Sequence, residues 1–125
     1  MRLDIKSTET RESRVLAAKL AQLAHDSKCE EIRILEVAEY LYITDYFVLV
    51  TSGSSRQTRA LATSMQEEGK KSLGAKGVVE GSPGSNWWLC DFGTVVVHIL
   101  DTDSREFYAL DDLWADAIAV PFEAS

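Results

Sequence analysis

Proline and cysteine are scarce in these 125 residues, two of each, and no apolar run is longer than Tyr46 to Val50. The second absence excludes a spanning helix, which takes about 20 consecutive apolar residues. The opening MRLDIKST has no apolar stretch, and no Arg/Ser-rich, acid-poor transit leader is seen. A soluble, unexported chain is expected, in a cytoplasm or, for a eukaryotic source, an organelle matrix or stroma. Cys29 and Cys90 fit no metal or redox spacing and read as reduced packing residues in a reducing compartment. The length leaves no room for a second catalytic domain. With 46% hydrophobic residues a core forms without metals or disulfides. One domain over 1–125 is expected, with flexible ends at 1–8 and 119–125.

Basic residues are missing from the last part of the chain. Up to Glu80, twelve Lys/Arg balance twelve Asp/Glu; from Gly81 onward Arg105 stands alone against eight acids, among them Asp101, Asp103, Asp111, Asp112 and Asp116. The whole net charge of −7 therefore lies there. Such a surface repels phosphate backbones and favours a basic protein as partner, without excluding that the charge serves solubility alone. Sequence-specific nucleic-acid binding and a membrane role are not expected.

The periodicities lay out the elements. Thr8 is placed to cap a helix over about Glu9 to Ser27, with Leu16, Leu20, Leu23 and Ala24 on one face. Ile32 to Val37 suits a partly covered strand, and Tyr46 to Thr51 a central strand covered on both faces. Gly53 breaks the pattern, Ser54 or Ser55 caps, and Leu61, Met65 and Leu73 mark a second helix ending near Gly74. A short strand at Gly77 to Gly81, a turn cluster at Ser82 to Asn86 and a hairpin of Trp87–Asp91 with Thr94–Leu100 follow, both hairpin faces being apolar. Asp103 or Ser104 then caps a last helix with Phe107, Leu110, Trp114 and Ala117 on its stripe. This order predicts an α/β (α+β) fold: a single mixed sheet of about five strands flanked by helices, the middle helix acting as a parallel crossover.

Several motifs suggest chemistry and also have plainer readings. Gly53-Ser54-Ser55-Arg56 at a helix start could hold an anion, but matches neither the phosphate loop nor the three-glycine dinucleotide pattern. Asp91-Phe92-Gly93 spells a kinase tripeptide without the rest of a kinase, and reads as a hairpin turn. Asp101 and Asp103, with Asp91 across the hairpin, could hold divalent metal for nucleotidyl transfer, or be cap and turn residues. His98 with Asp91 lacks a nucleophile for hydrolysis. What stands out is the aromatic density of the acidic segment: Trp87, Trp88, Phe92, Phe107, Tyr108, Trp114 and Phe122. Trp87 and Trp88 must face opposite ways on a strand, and Tyr108 lies one position off the Phe107 stripe. Some of these rings should therefore reach the surface beside carboxylates, as interface anchors do.

In order and spacing the stretch from about Glu31 to Ala117 resembles the ribosomal silencing factors, also called Iojap-like proteins. The pieces are Ile43-Thr44-Asp45, Thr51-Ser52-Gly53-Ser54-Ser55-Arg56-Gln57, Glu80-Gly81, Trp87 four residues before Asp91, Gly93, Val96-Val97-His98, and Arg105, Phe107-Tyr108, Leu110, Leu113-Trp114. The resemblance implies a nucleotidyltransferase-like fold without the catalytic carboxylates or activity, needing no metal and no cofactor. It implies binding to the large ribosomal subunit through ribosomal protein L-fourteen, blocking association with the small subunit and so repressing translation, and a homodimer when free. Carried over as partner contacts are Trp87, Asp91, Arg105, Tyr108, Leu110 and Trp114. Trp88, Cys90, Thr63 and Asp111 depart from the family pattern. The alternatives are a metal-dependent nucleotidyltransferase and a dimerising module with no ribosomal role.

Overall fold

The computed structural model describes residues 2–38, 44–81 and 84–125, with side chains from Arg11 onward. Ile43 of the family motif, and Ser82 and Pro83 of the turn cluster, lie outside the described residues. The elements are α1 (Arg2–Asp26), β1 (Glu30–Glu36), β2 (Tyr46–Thr51), α2 (Ser55–Leu73), β3 (Val78–Glu80), β4 (Trp87–Asp91), β5 (Val95–Leu100), α3 (Thr102–Tyr108), α4 (Leu110–Leu113) and β6 (Ile118–Val120). Among the described residues the strands form one mixed sheet in the order β3-β4-β5-β2-β1-β6. Central β2 and β5 run parallel and the other neighbours antiparallel. This is the expected α+β architecture with one additional strand.

β2 is buried at all six positions because both sheet faces are covered. Tyr46, Val48 and Val50 face α1 and α2, where Leu16, Leu20, Leu61 and Met65 complete the larger core. Phe47 and Leu49 face the other way, joining Leu35, Leu100 and Leu110 in a second, smaller one. Each fully buried aliphatic contributes about 1.5–3 kcal/mol of transfer free energy. α2 starts at Ser54, whose hydroxyl accepts from the Gln57 N–H, while the Gln57 side chain accepts from the Gly53 N–H, a reciprocal cap. Its end at Gly74 is left-handed (φ +74°), as the sequence suggests.

Several expectations fail, each for a local reason. α1 begins at Arg2, so Thr8 lies inside the helix and does not cap it. Leu73 is exposed: steps of four residues drift about 40° each around a 3.6-residue helix, so by Leu73 the row has left the face that buries Leu61. The last helix is capped by Asp101, with Asp103 and Ser104 inside its first turn, and it is two short helices, because Ala109 adopts φ +49° between α3 and α4. That break resets the helical phase, and Phe107, expected on the buried stripe, is 80% exposed. The freed chain returns as β6 alongside β1, with Ile34 opposite Val120, where a helix end and a loose tail were expected.

Candidate partner-binding face

The side of the sheet away from α1 and α2 carries a continuous row of rings. Phe107 meets Tyr108 at 5.0 Å, Tyr108 meets Trp87 at 4.8 Å, Trp87 meets His98 at 5.9 Å, His98 meets Phe47 at 4.6 Å, and Phe47 meets Trp114 at 5.0 Å. Such pairs contribute about 0.5–1.5 kcal/mol each beyond their burial, so the rings support one another along the row. Strand alternation builds it: Trp87 and His98 point to this side, whereas Trp88 enters the main core, its indole lying over Gly81. The outer end is open to solvent, with Phe107 80% and Tyr108 49% exposed. A hollow of about 350 Å³ beside Trp87 is lined by Glu80, Gly81 and Leu89.

The Trp87 indole N–H donates to His98 Nδ1 at 3.2 Å, which puts the imidazole proton on Nε2. Nε2 is buried and has no hydrogen-bond partner among the described residues. Burial lowers the His98 pKa from its ordinary 6.5 to about 4, so the ring is neutral at physiological pH.

Behind the platform sits a clamp. Arg105 is 4% exposed and spends its donors inward: Nε and Nη2 grip the Asp111 carboxylate at 2.9 and 3.0 Å, and Nη1 reaches Thr51 Oγ1 at 3.0 Å and the Glu31 carbonyl. Glu31 adopts φ +47° where the β1–β2 register shifts, and the bulge turns its carbonyl toward the guanidinium. Arg33 Nη1 donates at 2.7 Å to Asp111 Oδ1, the oxygen that also accepts from Arg105 Nη2. Hydrogen bonds from Arg105, then from Arg33, hold the Asp111 pKa at about 2 against the opposing effect of burial. One buried cation thus ties α3 to β1, β2 and α4.

The six residues carried over from the family separate into distinct roles. Trp87, Tyr108 and Trp114 belong to the ring row. Asp91 is exposed and its Oδ1 accepts from the Gly93 N–H at 2.8 Å, closing the hairpin turn. Arg105 and Leu110 are buried and offer no side-chain surface; they position the face from behind. Phe107 and Leu113 join the exposed set unannounced, since only the break at Ala109 brings them outward. Arg33, Glu31 and Thr51 were equally invisible as clamp partners, because nothing local links them to Arg105.

The other motifs are absorbed structurally. Asp101 caps α3, accepting from the Ser104 N–H at 2.7 Å, whereas Asp91 lies at the opposite end of the β4–β5 pair, so the three carboxylates do not converge. His98 hydrogen-bonds Trp87 rather than Asp91. A polar cavity of about 150 Å³ at the start of α2 is lined by Ser52, Ser54, Thr58, Asn86 and Asp101. Its Gly53 and Gln57 amides are already bonded within the cap, and a carboxylate faces it. Both cysteines are buried thiols, and burial pushes the Cys90 pKa up to about 12.

The fold and this face define a small α+β domain that carries a row of aromatic rings, exposed at one end, on the sheet side away from its two long helices. Residues 10–125 match the RsfS family, described as "Ribosomal silencing factor during starvation", and the chain belongs to that family. It is 36% identical over 114 residues to the chloroplastic protein Iojap of Arabidopsis thaliana, covering 90% of this chain and 48% of that one. It is 33% identical over 100 residues to the ribosomal silencing factor RsfS of Bacillus subtilis, covering 79% and 85%. A crystal structure from Bacillus halodurans superposes with a TM-score of 0.67 at 28% identity, over 83% of this chain and 95% of that one. The chain spans about half the length of the chloroplastic Iojap proteins it matches.

Proposed function

We propose that this chain silences ribosomes by binding the large ribosomal subunit through ribosomal protein L-fourteen, and that it thereby blocks association with the small subunit. Membership of the silencing-factor family supports the ribosome-associated role. The observation that carries the mode of binding is the ring row. Four of its members, Trp87, Phe107, Tyr108 and Trp114, are aromatic residues of the family pattern, its outer end is exposed, and the exposed carboxylates Glu106 and Asp112 lie on the same two short helices. A basic protein surface is the chemical complement of such a face. Silencing by obstruction needs no catalytic group, and the bacterial cytoplasm or an organelle matrix or stroma is the setting. When free, the chain is proposed to pair with a second copy through the same exposed rings.

The test is co-sedimentation of the purified chain with isolated large subunits, with and without small subunits. Wild type is expected to travel with large subunits and to lower the fraction of joined ribosomes. Trp87→Ala and Tyr108→Ala are each expected to weaken binding by about 1 kcal/mol or more, roughly fivefold, while the circular dichroism spectrum stays native. Unchanged binding by both variants would place the interface elsewhere.

A further inference from the structure

Charge in this molecule is sorted by layer, which the chain order conceals. The segments 11–28 and 55–76, which are the described side chains of α1 and α2 with the turns that close them, carry nine Lys/Arg, all exposed, against four Asp/Glu. The remaining described side chains carry thirteen Asp/Glu against two guanidinium groups, Arg33 and Arg105, and both of these are bound to Asp111. The charge balance before Gly81 is therefore an average over two surfaces: all its described bases but Arg33 lie in the two helical segments, while its described acids divide, four in those segments and five outside them. Arg14 and Lys19 on α1 and Arg56, Arg59, Lys70 and Lys71 on α2 form no ion pair among the described residues. The two helices pack antiparallel, since the Gln57 side chain donates to the Ser27 carbonyl at one end while Val15 and Leu73 line a shared groove at the other. The cations thus spread along the length of one layer, opposite the acidic aromatic face.

We propose that the α1–α2 layer is a phosphate-binding face that lies against RNA, so that the molecule bridges RNA on its helical side and a basic protein on its aromatic side. This rests on the docking proposed above, because a chain of net charge −7 brought to a particle rich in phosphate is repelled unless its cationic layer turns toward that phosphate. The layer has no Trp, Tyr or Phe in either segment, so it has nothing with which to stack bases, and it engages the backbone independently of base sequence. An anionic membrane is the poorer fit, since binding there needs large apolar anchors beside the cations, and among its described side chains the layer exposes only Val15 and Leu73 of the large hydrophobics.

The experiment places a photo-crosslinking residue at exposed Thr63 on α2 and, separately, at Leu113 on the aromatic side, and irradiates each with purified large subunits. The Thr63 probe is expected to label ribosomal RNA and the Leu113 probe a ribosomal protein. In parallel, Arg56→Glu/Arg59→Glu/Lys70→Glu/Lys71→Glu, with its fold checked by circular dichroism, is expected to bind subunits at least tenfold more weakly. Its plot of log affinity against log salt should be flatter by about 0.7 for each phosphate that is no longer neutralised. Labelling of protein alone from Thr63, with affinity and salt slope unmoved by the charge reversal, would overturn the proposal while leaving the docking intact. If wild type binds no subunits, the docking itself has failed. The layer is then judged on a fluorescent 20-nucleotide uridine RNA at low salt, where binding abolished by the charge reversal supports it and absence of binding overturns it. Binding to phosphatidylglycerol vesicles without binding to that RNA would assign the layer to membranes and overturn the proposal.

Discussion

Removing the Asp111 carboxylate should uncouple the short helices from the sheet, and the geometry sets the size of the effect. Asp111→Ala deletes two charge-assisted hydrogen bonds to a guanidinium that is 4% exposed, and one to Arg33 on the surface. Breaking a fully buried ion pair costs about 3–5 kcal/mol. Asp111 is itself 39% exposed, and Arg105 keeps the Glu31 carbonyl, Thr51 Oγ1 and a Glu31 carboxylate oxygen at 3.8 Å, so the expected loss is about 2–3 kcal/mol. Arg33→Ala, which removes a 38%-exposed partner, should cost about 0.5 kcal/mol or less. Urea unfolding followed by tryptophan fluorescence measures both. With a slope of roughly 1–2 kcal/mol per molar urea for a domain this size, Asp111→Ala moves the midpoint down by about 1.5 M. Arg105→Leu should cost about as much, and the double variant should show a coupling above about 1.5 kcal/mol. A loss for Asp111→Ala below about 0.5 kcal/mol, or no larger than that for Arg33→Ala, would refute the clamp as the device that holds α3 and α4.

Two further predictions concern the same face and the strand behind it. His98 titrates near 4 when folded and near 6.5 otherwise, so the unfolded chain binds the extra proton between those values and stability falls as pH drops from 6.5 to 4, by roughly 3 kcal/mol. Asp111, ordinarily near 3.8 and about 2 when folded, withdraws its own contribution below that, from about pH 4 to 2. Urea midpoints across pH check both, and His98→Asn, which keeps an acceptor for the Trp87 indole, should flatten the upper window; an unchanged slope there would assign it to other groups. Gly81→Ala would place a methyl 2.6 Å from Trp88 Cγ at a residue with φ +151°, and is expected to cost about 2 kcal/mol. A urea midpoint within about 0.3 M of wild type would mean that the Trp88 ring is free to move aside.

Features whose signal is local were legible in the chain of residues alone. The run Tyr46 to Thr51 is apolar at both strand phases, so a doubly covered central strand could be read without any partner. The Ser54 cap, the Gly74 stop and the Asp91–Gly93 turn follow from short-range hydrogen bonds and permitted φ. Alternation alone sent Trp87 and Trp88 to opposite faces, and the ordered motif set pointed to the family. Tertiary structure settled what depends on distant residues or on helical phase. The break at Ala109 exposes Phe107 and frees the chain to pair as β6, because a three-residue strand gains its hydrogen bonds from β1 and not from its own pattern. Arg105 reads from sequence as a surface contact but is buried, because the Glu31 carbonyl, Thr51 and Asp111 converge on it from elements far apart in the chain. Charge followed the same rule: the chain order set its sum, and only the packing of α1 and α2 on one side of the sheet gave the molecule a basic layer and an acidic one.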